Sequence, residues 1–317
     1  MGIFVSVIIC TRNRAEELAQ TLHALECNDC GDAHTIELIV VDNASADETA
    51  EVVKGFHSSR LNVRYIYEPR KGKCVCLNRA LSEANGDIIV LTDDDVRPHQ
   101  EWLPTVCAPI AQGTADAVAG AINLASHLRR DWMEDFHREF LASTEPLDPR
   151  GIETMTSANC AFSRQVLDKV PAFDPELGPG ALGFCDDVLF SLQLISAGFR
   201  LIAVFDHPVI HHVEPSRLSR RSFVQRAEAE GHSRAYMAHH WEHQEIRFPF
   251  LRMCAAFVRL HVRRLVQGAS WPHEEGIAEW EFLSVRRLAF RHQYLRERRR
   301  VRQYAKRGLV KLESSNS

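Results

Sequence analysis

No stretch of this 317-residue chain approaches the ~20 consecutive apolar residues that a membrane-spanning helix needs. The opening apolar run, Ile3 to Cys10, is short, lacks a basic leader and passes straight into Thr11-Arg12-Asn13-Arg14. It reads as a first buried strand rather than a signal peptide. The same reading is preferred over N-terminal acylation, although Met1-Gly2-Ile3-Phe4-Val5-Ser6 formally fits that pattern. No G-x-G-x-x-G follows a strand and no G-x-x-x-x-G-K-[ST] is present, so dinucleotide and P-loop readings lose their main support. Cys27-x-x-Cys30 and Cys74-x-Cys76 have no second Cys or His pair at zinc spacing. The nine cysteines are scattered, and Cys10, Cys107, Cys160 and Cys254 sit in apolar runs as small hydrophobes, which fits a reducing compartment. Internal repeats and long low-complexity linkers are absent as well.

What is present is globular: 45% hydrophobic and 25% charged, long enough for one large core or two smaller ones. The net charge of −4 conceals an asymmetry. Residues 286–311 hold eleven Lys/Arg against the single acid Glu297, a balance of +10, so the remainder sums to −14. An acidic body with a basic end points to two tasks.

The first hundred residues alternate strand and helix patterns. Val5–Cys10, Glu37–Asp42, Val63–Tyr67 and Asp87–Thr92 read as strands, and Ala15–Leu25, Asp47–Phe56 and Lys73–Ala84 as helices between them. Continuous apolar strands in such alternation predict an α/β fold, with a mostly parallel sheet covered on both faces. Farther on, Ala117–Leu124, Ser157–Phe162, Arg200–Phe205 and Pro208–His211 read as strands, and Asp186–Ala197 as a helix ended by Gly198. From 216 onward the pattern is helical. The expected division is 1–215 (halves 1–98 and 99–215), then a helical extension, 216–317.

Ligands of such sheets bind beyond the carboxyl ends of the strands. That rule gathers Thr11 to Arg14, Asp42-Asn43 and Asp93-Asp94-Asp95 on one rim. Three adjacent carboxylates where a buried strand runs out repel one another and call for a cation. Oxygen ligands suit a hard ion, Mg²⁺ or Mn²⁺, and such ions typically hold phosphate oxygens. The plain alternatives are a solvated acidic turn for the triplet and a helix-capping turn for Asp42-Asn43.

Taken together these segments resemble a family 2 glycosyltransferase with a GT-A, Rossmann-like fold. Val7-Ile8-Ile9-Cys10-Thr11-Arg12-Asn13-Arg14 is similar to the family's opening strand and T-x-N-R turn, with Cys10 where Pro is common. Leu38 to Ser45 resembles its second strand and nucleotide-binding Asp. Lys71-Gly72-Lys73 with Leu77-Asn78-Arg79-Ala80 resembles the segment before the metal motif, and Asp93-Asp94-Asp95 resembles the motif itself. Ala158 to Phe162 and Phe173 to Gly178 resemble the acceptor half. Gly183-Phe184-Cys185-Asp186-Asp187 resembles the G-x-E-D motif, aligned by counting back from Gly198. The likeness spans about residues 3–215.

The resemblance implies inverting transfer from a nucleotide-diphospho-sugar to a hydroxyl of a glycan or lipid-linked glycan. Asp95 becomes the main metal ligand, with Asp93 and His212 beside it. Thr11, Asn13, Arg14, Asp42, Asn43, Lys73, Asn78, Asp93 and Asp94 become donor-binding residues. Asp187, with Asp186, supplies the base; as acids in a helix's first turn, both also complement its dipole. Arg70 and Lys71 could face the diphosphate or be solvated loop charges. A metal-dependent nucleotidyltransferase and a non-catalytic sugar-nucleotide or surface-binding module remain as alternatives.

In the C-terminal part, His239, His240 and His243 have helical spacing without an accompanying carboxylate motif. Met253 to Val258 with Arg259, Arg263 and Arg264 reads as an interfacial or packing helix. Trp280, Leu283, Phe290, Tyr294 and Val301 fall near one helical face and arginines crowd the rest. This helix either packs on the catalytic part or rests on an anionic membrane through 286–311; no nucleic-acid module is visible. The expected location is cytoplasmic, with peripheral contact at the inner face of a membrane.

Overall fold

The computed structural model describes residues 3–29, 33–267, 271 and 273–312. Met1-Gly2 and Cys30 of the Cys27-x-x-Cys30 pair lie outside them. Strand β1 (Ile3–Thr11) buries successive residues on opposite faces. Val5, Val7 and Ile9 enter one core and Ile8 the other. Such a strand needs cover on both sides.

The chain continues through α1 (Ala15–Glu26), β2 (Ala33–Asp42), α2 (Thr49–Gly55), β3 (Asn62–Tyr67), α3 (Lys73–Glu83) and β4 (Ile88–Asp93). A turn leads to β5 (Val96–Arg97), then α4 (Trp102–Ala111), β6 (Ala117–Leu124), α5 (Asp135–Phe140), β7 (Asn159–Ser163), α6 (Asp186–Ser196) and β8 (Leu201–His211). Three helices follow, α7 (Arg220–His240), α8 (Pro249–Gln267) and α9 (Glu279–Glu297). The sheet order is β3-β2-β1-β4-β7-β6-β8-β5, with β1 to β4 mutually parallel and β7 and β5 antiparallel to their neighbours. Helices α1, α2 and α4 close one face through Leu18, Leu22, Val53 and Trp102. Helices α3 and α6 close the other through Leu77, Leu81, Phe190 and Leu194. This is the expected mostly parallel α/β sheet with a helical C-terminal extension.

Register assembles the rim. Thr11 pairs with Asp42 across β1 and β2, and Cys10 pairs with Asp93 across β1 and β4. The two segments read as separate strands at 200–205 and 208–211 form one strand, β8, with a kink at His207 (φ 51°). It pairs with β6 on both sides of the kink and then with β5, where His211 stands opposite Val96.

The C-terminal helices are not a separate lobe. Phe223 and Ala227 of α7, Leu260 of α8, and Phe282 and Val285 of α9 share one core with Leu124, Leu128, Leu141, Val213 and Leu218. A second core joins Leu177, Cys185 and Leu189 to Tyr236, Met237, Trp241 and Tyr304. Helix α9 turns its apolar side inward: Tyr294 is buried, and Trp280 and Leu283 pack on the shared core. Val301 lies beyond the helix and is exposed. Several cations of 286–311 also face acids. Arg286 pairs with Glu230 at 3.1 Å, Arg300 with Glu176 at 2.7 Å, and Lys311 with Asp174 at 2.6 Å. His239, His240 and His243 reach across to the Arg300 carbonyl (3.1 Å), the Glu297 carboxylate (2.9 Å) and the Tyr304 carbonyl (3.0 Å), so they fasten this segment.

Asp174 anchors the tail. Its carboxylate accepts from the Tyr236 and Tyr304 hydroxyls at 2.6 and 2.8 Å as well as from Lys311. Burial pushes against its charge, but Lys311 and the hydroxyls outweigh that and hold its pKa below the usual range. A depressed carboxylate stabilises the fold above its unfolded pKa of about 3.9, and that contribution disappears as pH falls through the folded value. Asp174→Ala should therefore lower unfolding free energy at neutral pH by roughly 3 kcal/mol or more, with the gap closing in acid. Denaturant titrations of both proteins check this; a neutral-pH gap under about 1 kcal/mol would mean that the anchor is ineffective.

Candidate active site

The rim holds a cavity of about 410 Å³. Thr11, Arg14, Asn43, Lys73, Asp93 and Asp94 line it, together with Pro179, Gly180 and Arg217. One wall is formed by two loops in close approach. Lys73 donates its backbone N–H to the Pro179 carbonyl at 2.9 Å. Gly180, at φ +90°, comes so near Gly72 that a Cβ there would sit 2.9 Å from the Gly72 Cα. Both glycines are needed for that contact, since each also has positive φ.

The three carboxylates at the end of β4 are held by two cations. Arg14 sits just before α1 and bonds Asp94 at 2.9 Å and Asp95 at 2.7 Å. Lys73, in the first turn of α3, ion-pairs with Asp93. Burial pushes Asp94 up to about 6, with Arg14 opposing and Asp95 adding to the rise. Burial would raise Asp95 too, but the His211 ring and Arg14 outweigh it and hold that carboxyl well below the usual range.

His211, not His212, brings its ring to these carboxylates. Its Nε2 stands 3.2 Å from Asp95 Oδ1, while Nδ1 bonds the Leu141 carbonyl at 3.0 Å. Neighbouring residues of a strand project to opposite faces, so His212 turns away toward His127, and only its backbone N–H reaches the Asp95 carbonyl at 2.8 Å. Asp93, Asp95 and His211 offer ligand atoms within 4.8 Å of one another. Asp95 Oδ1 is buried, with the His211 ring beside it and no hydrogen bond of good geometry. A buried carboxylate oxygen in that state is costly unless a cation meets it, so the donor set fits a divalent ion.

Several of the expected donor-binding residues also hold the scaffold. The Asn78 amide makes two 2.8 Å bonds to the Phe173 main chain. Asn43 bonds the carbonyls of Glu68 and Arg70 and accepts from the Gly72 N–H, which shapes the loop before α3. Asn13 clamps the 45–46 turn through its N–H and side-chain carbonyl. Asp42 accepts from the Ser45 N–H and the Tyr65 hydroxyl, each at 2.8 Å. Arg70 is turned back onto Glu68.

Asp186 and Asp187 open α6, after Cys185 in a left-handed conformation. Asp186 is buried against Gly178, whose added Cβ would meet its carboxyl at 2.8 Å. Burial raises Asp186, and the Lys73 charge opposes the rise. Asp187 is pushed up to about 7, chiefly by desolvation and then by Asp186, against Lys73 and the Val188 N–H. The two acids therefore share the electrostatic field of Lys73 with Asp93.

Residues 6–171 match the family described as glycosyl transferase family 2. The chain belongs to that family. It is 32% identical over 210 residues to Glycosyltransferase AglE of Haloferax volcanii, covering 65% of this chain and 66% of that protein. It is 26% identical over 162 residues to the succinoglycan biosynthesis protein ExoM of Rhizobium meliloti, covering half of each. The chain thus spans about half to two thirds of these relatives. Among solved structures, the mannosyltransferase PcManGT from Pyrobaculum calidifontis, in complex with GDP-Man and Mn²⁺, superposes with a TM-score of 0.60 at 21% identity, over 92% of this chain and 86% of that one. S. aureus TarS 1–349 with UDP-GlcNAc gives a TM-score of 0.51 at 21% identity, over 72% and 64%. At these identities the likeness is one of fold, the GT-A fold of the family. No described helix is long and apolar enough to cross a membrane.

Sequence reading missed His211 and Arg217. Strand parity would have found the former, because buried Val209 and His211 share one face of β8. Arg217 carries no local signal. The expected outcome of Mn²⁺ titration calorimetry is that His211→Ala weakens binding at least about tenfold, since even indirect support of a ligand is worth that much. His212→Ala should leave affinity within about twofold of wild type on the same scale. The reverse pattern would restore His212 as the ligand.

Proposed function

We propose that this protein is an inverting glycosyltransferase that moves a sugar from a nucleotide-diphospho-sugar to a hydroxyl of a glycan or lipid-linked acceptor, assisted by Mn²⁺ or Mg²⁺. One observation carries the reading: Asp93, Asp95 and His211 converge in one cluster, and its Asp93 lines a cavity whose other walls supply Arg14, Lys73 and Arg217. The family match supports the reaction class. The solved relatives with GDP-Man and Mn²⁺, or with UDP-GlcNAc, support this class of donor. Asp93, Asp95 and His211 would hold the ion, which would offset charge growing on the leaving diphosphate.

The remaining chemistry belongs to the chain. The acceptor oxygen bonds to the anomeric carbon as the bond from that carbon to the diphosphate breaks. One attack from the opposite face inverts the centre. The hydroxyl proton passes to Asp187, whose raised pKa keeps it basic enough to accept a proton near neutral pH. Lys73, tied to Asp93 and in the field of Asp186, opposes the rise that burial and Asp186 impose on Asp187. Arg14 and Arg217 line the cavity as cations for the diphosphate. Asn43, Asn13 and Asn78 act by fixing the loops that carry these groups.

Product analysis with a panel of nucleotide sugars tests the class: transfer releases a nucleoside diphosphate, whereas release of inorganic diphosphate from a triphosphate would identify a nucleotidyltransferase. Asp187→Asn should lower kcat by ~10²-fold or more with donor affinity little changed. Because the base must be ionised, wild-type kcat should rise with pH through about 7 and then level off. If Asp186→Asn gives the kcat loss and Asp187→Asn does not, the base is Asp186.

A further inference from the structure

Helix α8 touches the rest of the protein along a narrow stripe. Beyond Pro249 at its start, Ala256 and Leu260 are its buried residues, and Arg264 beside them pairs with Glu281 at 2.8 Å. On the opposite side, about half a helical turn away, stand Leu251, Val258, Val262 and Leu265 at spacings of seven, four and three residues. They are 64, 55, 52 and 85% exposed. Phe250, Phe257 and Val266, also more than half exposed, widen the stripe. A surface helix normally presents polar side chains there, and a continuous exposed apolar face marks an interaction surface.

The charge beside the stripe says what the surface fits. Arg252, Arg259 and Arg263 run along one edge of it, and Arg287 and Arg291 of α9 face them across a groove of about 850 Å³. The groove lining holds these five arginines and no carboxylate. Helix α8 itself contains neither Asp nor Glu. Among the described residues, Arg252, Arg259, Arg287 and Arg291 have no ion pair. Burial and the charges of Arg252 and Arg287 hold Arg291 below its ordinary pKa, the mark of a cationic cluster lacking its counter-charge. A second copy of this chain is a poor occupant, because an isologous contact would bring arginines toward arginines with no acid from α8 to meet them. Nucleic acid would leave the apolar stripe in water. A surface with an apolar interior beneath a layer of phosphates satisfies both features.

We propose that α8 lies flat on an anionic lipid bilayer, with Leu251, Val258, Val262 and Leu265 entering the boundary between headgroups and acyl chains and Arg252, Arg259, Arg287 and Arg291 binding lipid phosphates. The contact therefore differs from the one expected for 286–311, whose apolar side faces inward; that segment contributes two arginines only. The inference does not depend on the reaction assigned above.

The test is flotation of the 317-residue chain with phosphatidylcholine vesicles, with and without phosphatidylglycerol. Binding should require the anionic lipid and fall steeply in about 1 M salt, where the Debye length is about 3 Å. The pair Val258→Asp and Val262→Asp, and separately Arg287→Glu and Arg291→Glu, should each lower vesicle partition at least about tenfold. Val258, Val262 and Arg287 are exposed, and unchanged thermal unfolding of each pair would exclude misfolding. Absence of flotation at low salt, or flotation that neither pair alters, overturns the proposal. So does full release by millimolar inorganic diphosphate without salt effect, which would mark a soluble-anion site. A dimer in sedimentation velocity that Val258→Asp and Val262→Asp abolish would assign the stripe to a second copy instead.

Discussion

Asp93, Asp94 and Asp95 stand where the buried strand β4 ends, and much of the rim is arranged around their charge. Carboxylates this close cannot all stay ionised at the edge of an apolar sheet without cations. Arg14 from the turn after β1 and Lys73 from the start of α3 supply them, each from a different crossover of the sheet. The parallel register delivers these groups together, because the ends of β1, β2 and β4 coincide at Thr11, Asp42 and Asp93. The antiparallel pairing of β5 with β8 adds His211 behind Asp95. Two cations against three carboxylates leave this network short of positive charge, which a divalent ion entering here would supply.

Strands β1, β2 and β4 were legible because each is a short run of apolar residues buried on both faces, a pattern that few solvated segments share; the edge strand β3 is largely half-exposed and carries only the β-rich composition. The rim was legible for the same reason: in a parallel sheet, strand ends converge whatever the details of the loops. Side-chain destinations were not. An Asn beside a ligand site and an Asn that bonds a neighbouring loop look alike in sequence, and Asn13, Asn43 and Asn78 all turn out to bond backbone. His211 and His212 differ only in strand parity, which the kink at His207 obscured by splitting β8 into two apparent strands. The choice between the two readings of the basic end was not legible, because the acids that meet its cations, Glu230, Asp174 and Glu176, lie far away in the chain.

Those long-range pairs explain how the C-terminal helices bear on the site. Asp174 accepts from Tyr236 of α7 and from Tyr304 and Lys311 of the tail. Its own carbonyl bonds the Leu177 N–H, and Gly178 next to it packs on the Asp186 carboxyl. Leu177 shares a core with Cys185 and Leu189, which begin α6. The tail, α7 and the acid pair are thus one packed unit. Interiors packed at such density transmit displacement instead of absorbing it, so the extension helps fix where Asp186 and Asp187 stand relative to Lys73.

The same rigidity gives α8 a consequence beyond attachment. Its buried stripe enters the core that holds Val213 and Leu218, which lie within and just after the segment from His211 to the cavity-lining Arg217. A bilayer gripping α8 would therefore grip the frame of the site and fix one orientation of the cavity relative to the membrane plane. An acceptor anchored in that membrane would be presented at a constrained height and angle, which removes translational and rotational freedom before the hydroxyl reaches the base. A freely diffusing acceptor would gain nothing from that constraint. If α8 seats on a bilayer as proposed, a lipid-linked acceptor is therefore the class that would gain from it.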